Sequence, residues 1–317
     1  MKMLARGLLP LFAATVASAG VVSLAGLLPL SPTGDLRVTN GTVAPQGMAP
    51  FLVRLALVSG NRQGLCGGTI IDSTTIVTAG HCVYLTDGSV RSASDIYVFY
   101  GSVSADSTAY VQATKVTLHP QYDSNSFRND IAILRVPELK FVKGSVESVS
   151  VYDSNIAPKQ AMAVYGWGTT RSHGTSADVP SSLLTQTVYV SEPKACQVIE
   201  SRYDGANGMQ ICADSNYSVG VDVCQGDSGT GTTVTYKGVQ YFAGLVSYGT
   251  NRYGDATCGE RDSFGMYTRI SYFLPWIKSL GSAPTSGPSI APMATQTTAP
   301  VIEPTPTTTC YLFIICF

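Results

Sequence analysis

The chain has 317 residues, of which 44% are apolar and only 13% charged, with 20 Lys and Arg against 21 Asp and Glu. That balance excludes a highly charged disordered chain and a coiled coil, and without a run of basic residues nothing points to a nucleic-acid partner. The length fits one large domain with appendages, and 31 Gly with 17 Pro predict many turns and short strands.

The first element in chain order reads as a targeting segment. Lys2 and Arg6 give a positive start, no charge follows until Asp35, and Ala17-Ser18-Ala19 is a small-x-small cleavage site. Residues 1–19 are expected to be a signal peptide that delivers a secreted, extracellular protein. Leu8 to Leu30 is long enough for a membrane anchor, but Pro10, Gly20 and Gly26 weigh against one. Membrane attachment is therefore not expected.

Short alternating or apolar runs follow at Phe51–Leu57, Thr69–Thr78, Asp95–Tyr100, Ala113–Leu118, Ile131–Val136, Ala161–Tyr165, Leu184–Val190, Gly238–Val246 and Gly265–Arg269. Gly, Asn, Asp and Pro clusters separate them, which predicts an all-β barrel or sandwich. Tyr272–Leu280 has a helical pattern, and Pro275 is expected to limit it to a final turn or two. From Gly281 to Thr309 the chain is mostly Thr, Pro, Ser and Ala, with Glu303 its only charge. Such a segment cannot bury enough apolar surface to fold, so residues 281–317 are expected to be a disordered tail. Its end, Cys310-Tyr-Leu-Phe-Ile-Ile-Cys316-Phe317, is too short to span a bilayer as a helix.

Eight cysteines in a secreted chain predict disulfides, but their number leaves the pairing open. None has a CxxC spacing and the chain holds only three histidines, so no metal site and no cofactor are expected.

Three short stretches carry chemistry: Thr78-Ala79-Gly80-His81-Cys82, Asn129-Asp130-Ile131-Ala132-Ile133-Leu134 and Cys224-Gln225-Gly226-Asp227-Ser228-Gly229. Each alone reads as a surface histidine, a turn acid or a loop. Together they supply what a serine nucleophile needs. A serine hydroxyl is a poor nucleophile at neutral pH, and it needs a base within hydrogen-bond reach and a partner that orients the base. Glycine beside the serine lets backbone N–H groups converge on one point.

With Cys66-Gly67-Gly68-Thr69, His119-Pro120, Tyr165-Gly166-Trp167-Gly168, Ser247-Tyr248-Gly249 and Pro275-Trp276-Ile277 in the same order, residues 38–280 resemble a trypsin-like serine protease of the chymotrypsin family. The resemblance implies two antiparallel six-stranded β-barrels with the active site between them and a short C-terminal helix. It implies a catalytic trio of His81, Asp130 and Ser228, with an oxyanion hole from the N–H groups of Gly226 and Ser228. It implies disulfides Cys66–Cys82, Cys196–Cys212 and Cys224–Cys258. Asp222 falls at the floor of the primary pocket, Gly249 and Gly265 at its walls, and Ser247 beside Asp130 and the substrate strand. Cleavage after Arg or Lys follows.

Arg37-Val38 resembles the family's activation junction, so residues 20–37 are expected to be a propeptide. Cleavage would free the Val38 amine to pair with Asp227. The implied partners are protein or peptide substrates, an activating protease and protein inhibitors, with the enzyme a monomer. Asn40-Gly41-Thr42 and Asn216-Tyr217-Ser218 are glycosylation sequons.

Several residues depart from the family pattern. Val223 offers no hydroxyl where trypsins often have one, which predicts Arg over Lys. Thr230-Gly231 replaces Gly-Pro, Tyr248 replaces Trp, and Phe264 stands where relatives have Pro or Tyr. Thr250 to Thr257 is an insertion carrying Arg252 and Asp255; an Arg252 turned to Asp222 would weaken basic substrates, and a solvent-facing one is expected. Residues 100–117 hold one acid, Asp106, so no calcium loop is expected. A catalytically dead binding protein of the same fold is the alternative, but such proteins usually lose a member of the trio. An α/β-hydrolase esterase fails on the order of its catalytic residues.

Overall fold

The computed structural model describes residues 41–59, 62–170, 178–214, 222–255, 258, 262–282 and 284. Among the described residues fourteen strands form two antiparallel sheets, and helices are few and short. The first sheet contains β2 (Leu52–Ser59), β3 (Arg62–Asp72), β4 (Thr75–Thr78), β5 (Ile96–Phe99), β6 (Tyr110–Gln112), β7 (Lys115–Leu118) and β8 (Ala132–Arg135). Its order is β6-β5-β2-β3-β4-β8-β7. The two edges, β6 and β7, are halves of one stretch interrupted at Ala113-Thr114, so the sheet curls until it meets itself.

The second sheet contains β1 (Thr42–Val43), β9 (Ala161–Gly166), β10 (Leu184–Tyr189), β11 (Gln210–Asp214), β12 (Gly231–Tyr236), β13 (Val239–Asn251) and β14 (Ser263–Arg269). Its order is β1-β10-β9-β12-β13-β14-β11. A bridge between Val190 and Ala213 joins the β10 end to β11 and closes this sheet too. The expected six-stranded barrels correspond to these rings once β6 and β7 are counted as one strand and the two-residue β1 as an edge addition.

Burial follows the pleat. Along β2, Val53, Leu55 and Leu57 point into the first barrel with Ile70, Ile76, Val98 and Leu134. The second barrel is filled by Met162, Val164, Val188, Ile211, Val246 and Tyr267. A third apolar layer takes Leu52, Val77 and Ile133 from the first barrel and Tyr165, Phe242 and Leu245 from the second. This shared layer holds the barrels face to face.

The C-terminal helix α3 runs from Ile270 to Ser279 and completes that layer. Ile270, Phe273, Leu274 and Ile277 lie at i, i+3, i+4 and i+7, one buried stripe that stabilises the helix by about 2 kcal/mol per side chain. The helix is longer than the sequence predicts and starts before Tyr272. Pro275 sits on its exposed face, where a lost hydrogen bond is outweighed by the buried stripe.

Other expected runs also shift. Thr69–Thr78 is two strands, because Asp72 Oδ1 accepts hydrogen bonds from Thr74 N (2.9 Å) and Thr74 Oγ1 (3.0 Å) and turns the chain. Strands β1, β6, β11 and β12 lie outside the expected runs, the first two because they are only two and three residues long. No helix among the described residues is long and apolar enough to cross a membrane. The expected signal, propeptide and most of the tail fall outside the described residues.

Candidate active site

The first barrel contributes an acid and a histidine. Asp130 precedes β8 and is fully buried. His81 lies in the one-turn helix α1 (Gly80–Val83), directly after β4. Gly80 fits closely there, since a Cβ would stand 3.0–3.1 Å from Leu118, Ile131 N and Tyr122. The turn brings the His81 backbone N–H to Asp130 Oδ1 (2.8 Å) and the ring Nδ1 to Asp130 Oδ2 (2.8 Å). With Nδ1–H turned to the carboxylate, Nε2 keeps the ring's free lone pair.

The second barrel completes the acid's surroundings. A register shift in β13 between Val246 and Tyr248 re-aims Ser247, whose Oγ donates to Asp130 Oδ2 at 2.6 Å. Thr268 Oγ1 donates to the Asp130 carbonyl at 2.9 Å. A buried carboxylate is costly unless hydrogen-bonded, and the donors from His81 and Ser247 offset that cost. Burial lowers the His81 pKa, but the charge and hydrogen bond of Asp130 outweigh it, and the net shift is upward from 6.5.

Ser228 sits in the half-exposed loop before β12. Gly226 (φ +98°) and Gly229 (φ +77°) bracket it in a conformation that side chains rarely adopt. The Ser228 carbonyl accepts from Gly67 N in β3 at 2.7 Å, and Gly229 N donates to Val246 O at 2.8 Å. The loop is thus pinned across the barrel junction. The N–H groups of Gly226 and Ser228 donate to no acceptor among the described residues.

Among the described residues the sulfur bridges are Cys66–Cys82, Cys196–Cys212 and Cys224–Cys258, as the resemblance implied. The first ties β3 to the His81 turn, and the third ties the Ser228 loop to the segment before β14. Cys66, His81 and Cys82 cluster closely, but both sulfurs are consumed in the bridge and ligate nothing.

Asp227 points inward, 1% exposed. Its Oδ1 accepts from Gly168 N (2.6 Å) and its Oδ2 from Cys224 N (2.8 Å). A Cβ on Gly166 or Gly168 would stand 1.6 or 2.6 Å from Oδ1, which explains both glycines of Tyr165-Gly166-Trp167-Gly168. Burial pushes the Asp227 carboxyl up to about 7 against these two donors.

Asp222 is 3% exposed and accepts its neighbour's Val223 N–H at 2.8 Å. Gly249 and Gly265 face each other across β13 and β14, and a Cβ on Gly265 would approach Asp222 Oδ1 to 3.1 Å. Asp222 and Gly265 are therefore neighbours in one group of residues, with Gly249 paired to Gly265. Arg252 is not part of it. Its guanidinium pairs with Asp262 at 2.7 Å on the exposed side of the insertion, where Asn251 Oδ1 accepts from Tyr253 N and Asp255 N.

Two residues near the site carried no motif signal. Phe127 has a left-handed backbone (φ 50°), and its ring meets His81 edge-on (5.6 Å) and tilts over Tyr248 (5.1 Å). Tyr267 lies beside Gly265. Arg37, Val38, Asn40 and Asn216 lie outside the described residues.

Two facing barrels with an acid-held histidine on one and a glycine-braced serine on the other make this a chymotrypsin-like serine endopeptidase. A family model described as Trypsin matches residues 38–277. The chain is 33% identical over 254 residues to Trypsin Blo t 3 of Blomia tropicalis, covering 77% of this chain and 86% of that one. It is 30% identical over 243 residues to Trypsin Tyr p 3.0101 of Tyrophagus putrescentiae, covering 76% and 79%. It is 28% identical over 258 residues to human Mannan-binding lectin serine protease 1, covering 76% of this chain and only 35% of that longer protein. The chain belongs to the trypsin family of serine endopeptidases.

Proposed function

We propose that the protein is a secreted endopeptidase that cleaves after Arg in preference to Lys and is made as a precursor activated by cleavage after Arg37. The observation that carries the specificity is the buried Asp222 carboxylate beside two facing glycines. A carboxylate in a recess without walls of side chain suits a long cationic one. Val223 is 2% exposed and supplies no hydroxyl for a lysine ammonium.

In the proposed mechanism His81 Nε2 takes the Ser228 Oγ proton as Oγ attacks the scissile carbonyl carbon. Asp130 holds the Nδ1–H tautomer and stabilises the imidazolium that forms. The carbonyl oxygen becomes an oxyanion facing the Gly226 and Ser228 N–H groups. The C–N bond then breaks as the imidazolium returns its proton to the leaving amine. Water, deprotonated by His81, hydrolyses the acyl-enzyme. The substrate lies as an added strand along Ser247–Gly249, since β12 pairs with β13 only as far as Leu245.

Activation follows from Asp227. An amine freed at Val38 would neutralise a buried carboxylate now held by backbone donors. The disulfides and the signal-like start of the chain support an oxidising, extracellular destination. The tests are amidolysis before and after limited cleavage at Arg37, on matched chromogenic peptides ending in Arg, Lys or Phe. Activity only after cleavage, fastest on Arg, is the expected result. Silence on all three with Val38 exposed would favour a non-catalytic binding protein.

A further inference from the structure

Thr230-Gly231, where the chain departs from its family, meets Gly67 and Thr69 of β3 across the barrel junction. Each strand sets a threonine against the other's glycine. A Cβ on Gly67 would stand 2.0 Å from Thr230 Oγ1, and a Cβ on Gly231 would stand 2.2 Å from Thr69 Oγ1. Each hydroxyl oxygen therefore fills the place a side chain would take on the facing strand. Both threonines are fully buried, and neither hydroxyl has a hydrogen-bond partner among the described residues. A buried hydroxyl without a partner stabilises nothing by its polarity, so what these side chains supply is shape. Threonine suits that task, because branching at Cβ leaves χ1 few choices.

Thr230 lies two residues after Ser228 and directly before β12, and its carbonyl accepts from Val246 N at 2.9 Å. On the facing strand, Gly67 N donates to the Ser228 carbonyl at 2.7 Å. Gly67 O accepts from Thr78 Oγ1 at 2.8 Å, three residues before His81. Gly67 thus joins the strand that leads to the base to the loop that holds the nucleophile. One hydrogen bond fixes a distance but leaves the two strands free to tilt about it. Two offset contacts, Thr230 on Gly67 and Thr69 on Gly231, take that freedom away.

We propose that Thr230 is a positioning residue, its side chain seated on Gly67 so that Ser228 stays in line with His81 on the opposite barrel. The assignment rests on the reading of His81, Asp130 and Ser228 as the catalytic trio. Gly249 and Gly265, with Asp222 beside them, belong to the same barrel as the strand that follows Thr230. A poorly seated Thr230 therefore slows the chemical step and leaves substrate binding as it was.

Thr230→Ala removes the hydroxyl and methyl that fill the gap, and Thr230→Val replaces the hydroxyl by a methyl of similar size. Both are assayed in the chain cleaved at Arg37, on the Arg peptide and by the rate of Ser228 labelling with an uncharged fluorophosphonate. The kcat is expressed per labelled serine. In Thr230→Ala, kcat and the labelling rate are expected to fall together by about tenfold, the effect of a displacement of a fraction of an ångström, while KM stays within about twofold. Thr230→Val keeps both rates within about twofold of the wild type. Thr69→Ala, on the facing strand, shows the same split as Thr230→Ala. A lower Tm in Thr230→Ala with kcat and labelling unchanged overturns the role, as packing alone, and so does a change confined to KM. A Thr230→Val as slow as Thr230→Ala also overturns it, since the hydroxyl and not the shape is then at work. A wild-type chain with Val38 freed that never labels at Ser228 overturns the reading of the trio, and this assignment with it.

Discussion

At the scale of single residues, the buried Asp130 carboxylate governs the chemistry expected of His81. The raised His81 pKa has a definite sign. A general base must be neutral, so kcat/KM should rise with pH along an acid limb whose midpoint lies above 6.5. Asp130→Asn removes the charge that raises it. The limb should move to lower pH while the plateau falls by at least about 10²-fold, measured as kcat/KM against pH. Ser247→Ala removes one donor to Asp130 and leaves the two from His81, so a loss of about tenfold is expected, without a change in peptide preference. Arg252→Ala should leave kcat/KM on the Arg peptide within about twofold, since its exposed ion pair with Asp262 stands apart from Asp222.

At the scale of elements, the strand ends and turns are shaped around the site. Gly166 closes β9 against Asp227, and its replacement by Ala would drive a methyl into the carboxylate. Gly166→Ala should destabilise the protein by about 3 kcal/mol, read from the denaturation midpoint, and lower activity in the fraction that folds. This scale also shows what the sequence makes legible. His81, Asp130, Ser228 and their flanking glycines stand in short contiguous stretches, because each backbone turn needs residues that are neighbours in the chain. Strand β12 is half threonine, and its first four residues are all buried, so it shows no period of two. Phe127 reaches His81 only through a left-handed turn that nothing in its local sequence announces.

At the scale of the whole molecule, Asp227 would link stability to the proposed cleavage at Arg37. Its carboxyl, held up to about 7 when buried, is ionised in the unfolded chain above 3.8. Its contribution to stability is therefore present below about pH 4 and lost as pH rises to about 7. A neighbouring ammonium from Val38 would favour the charged form and remove that loss. Calorimetry of the uncut chain should show Tm falling between pH 5 and pH 8, and the chain cut at Arg37 should show a flatter profile.

The junction between the barrels has a last consequence. Hydrogen bonds cross it at the site, among them Ser247 to Asp130, Thr268 to Asp130, and Gly67 to Ser228. Base and nucleophile therefore ride on separate bodies, and catalysis acts as a gauge of how those bodies are docked. A slippage of about one ångström between them would separate the reacting groups and cost on the order of 10²-fold in rate while every strand stayed paired. Mild denaturant should silence the enzyme before circular dichroism reports any loss of sheet, and dilution should restore it as the two halves find their seating again.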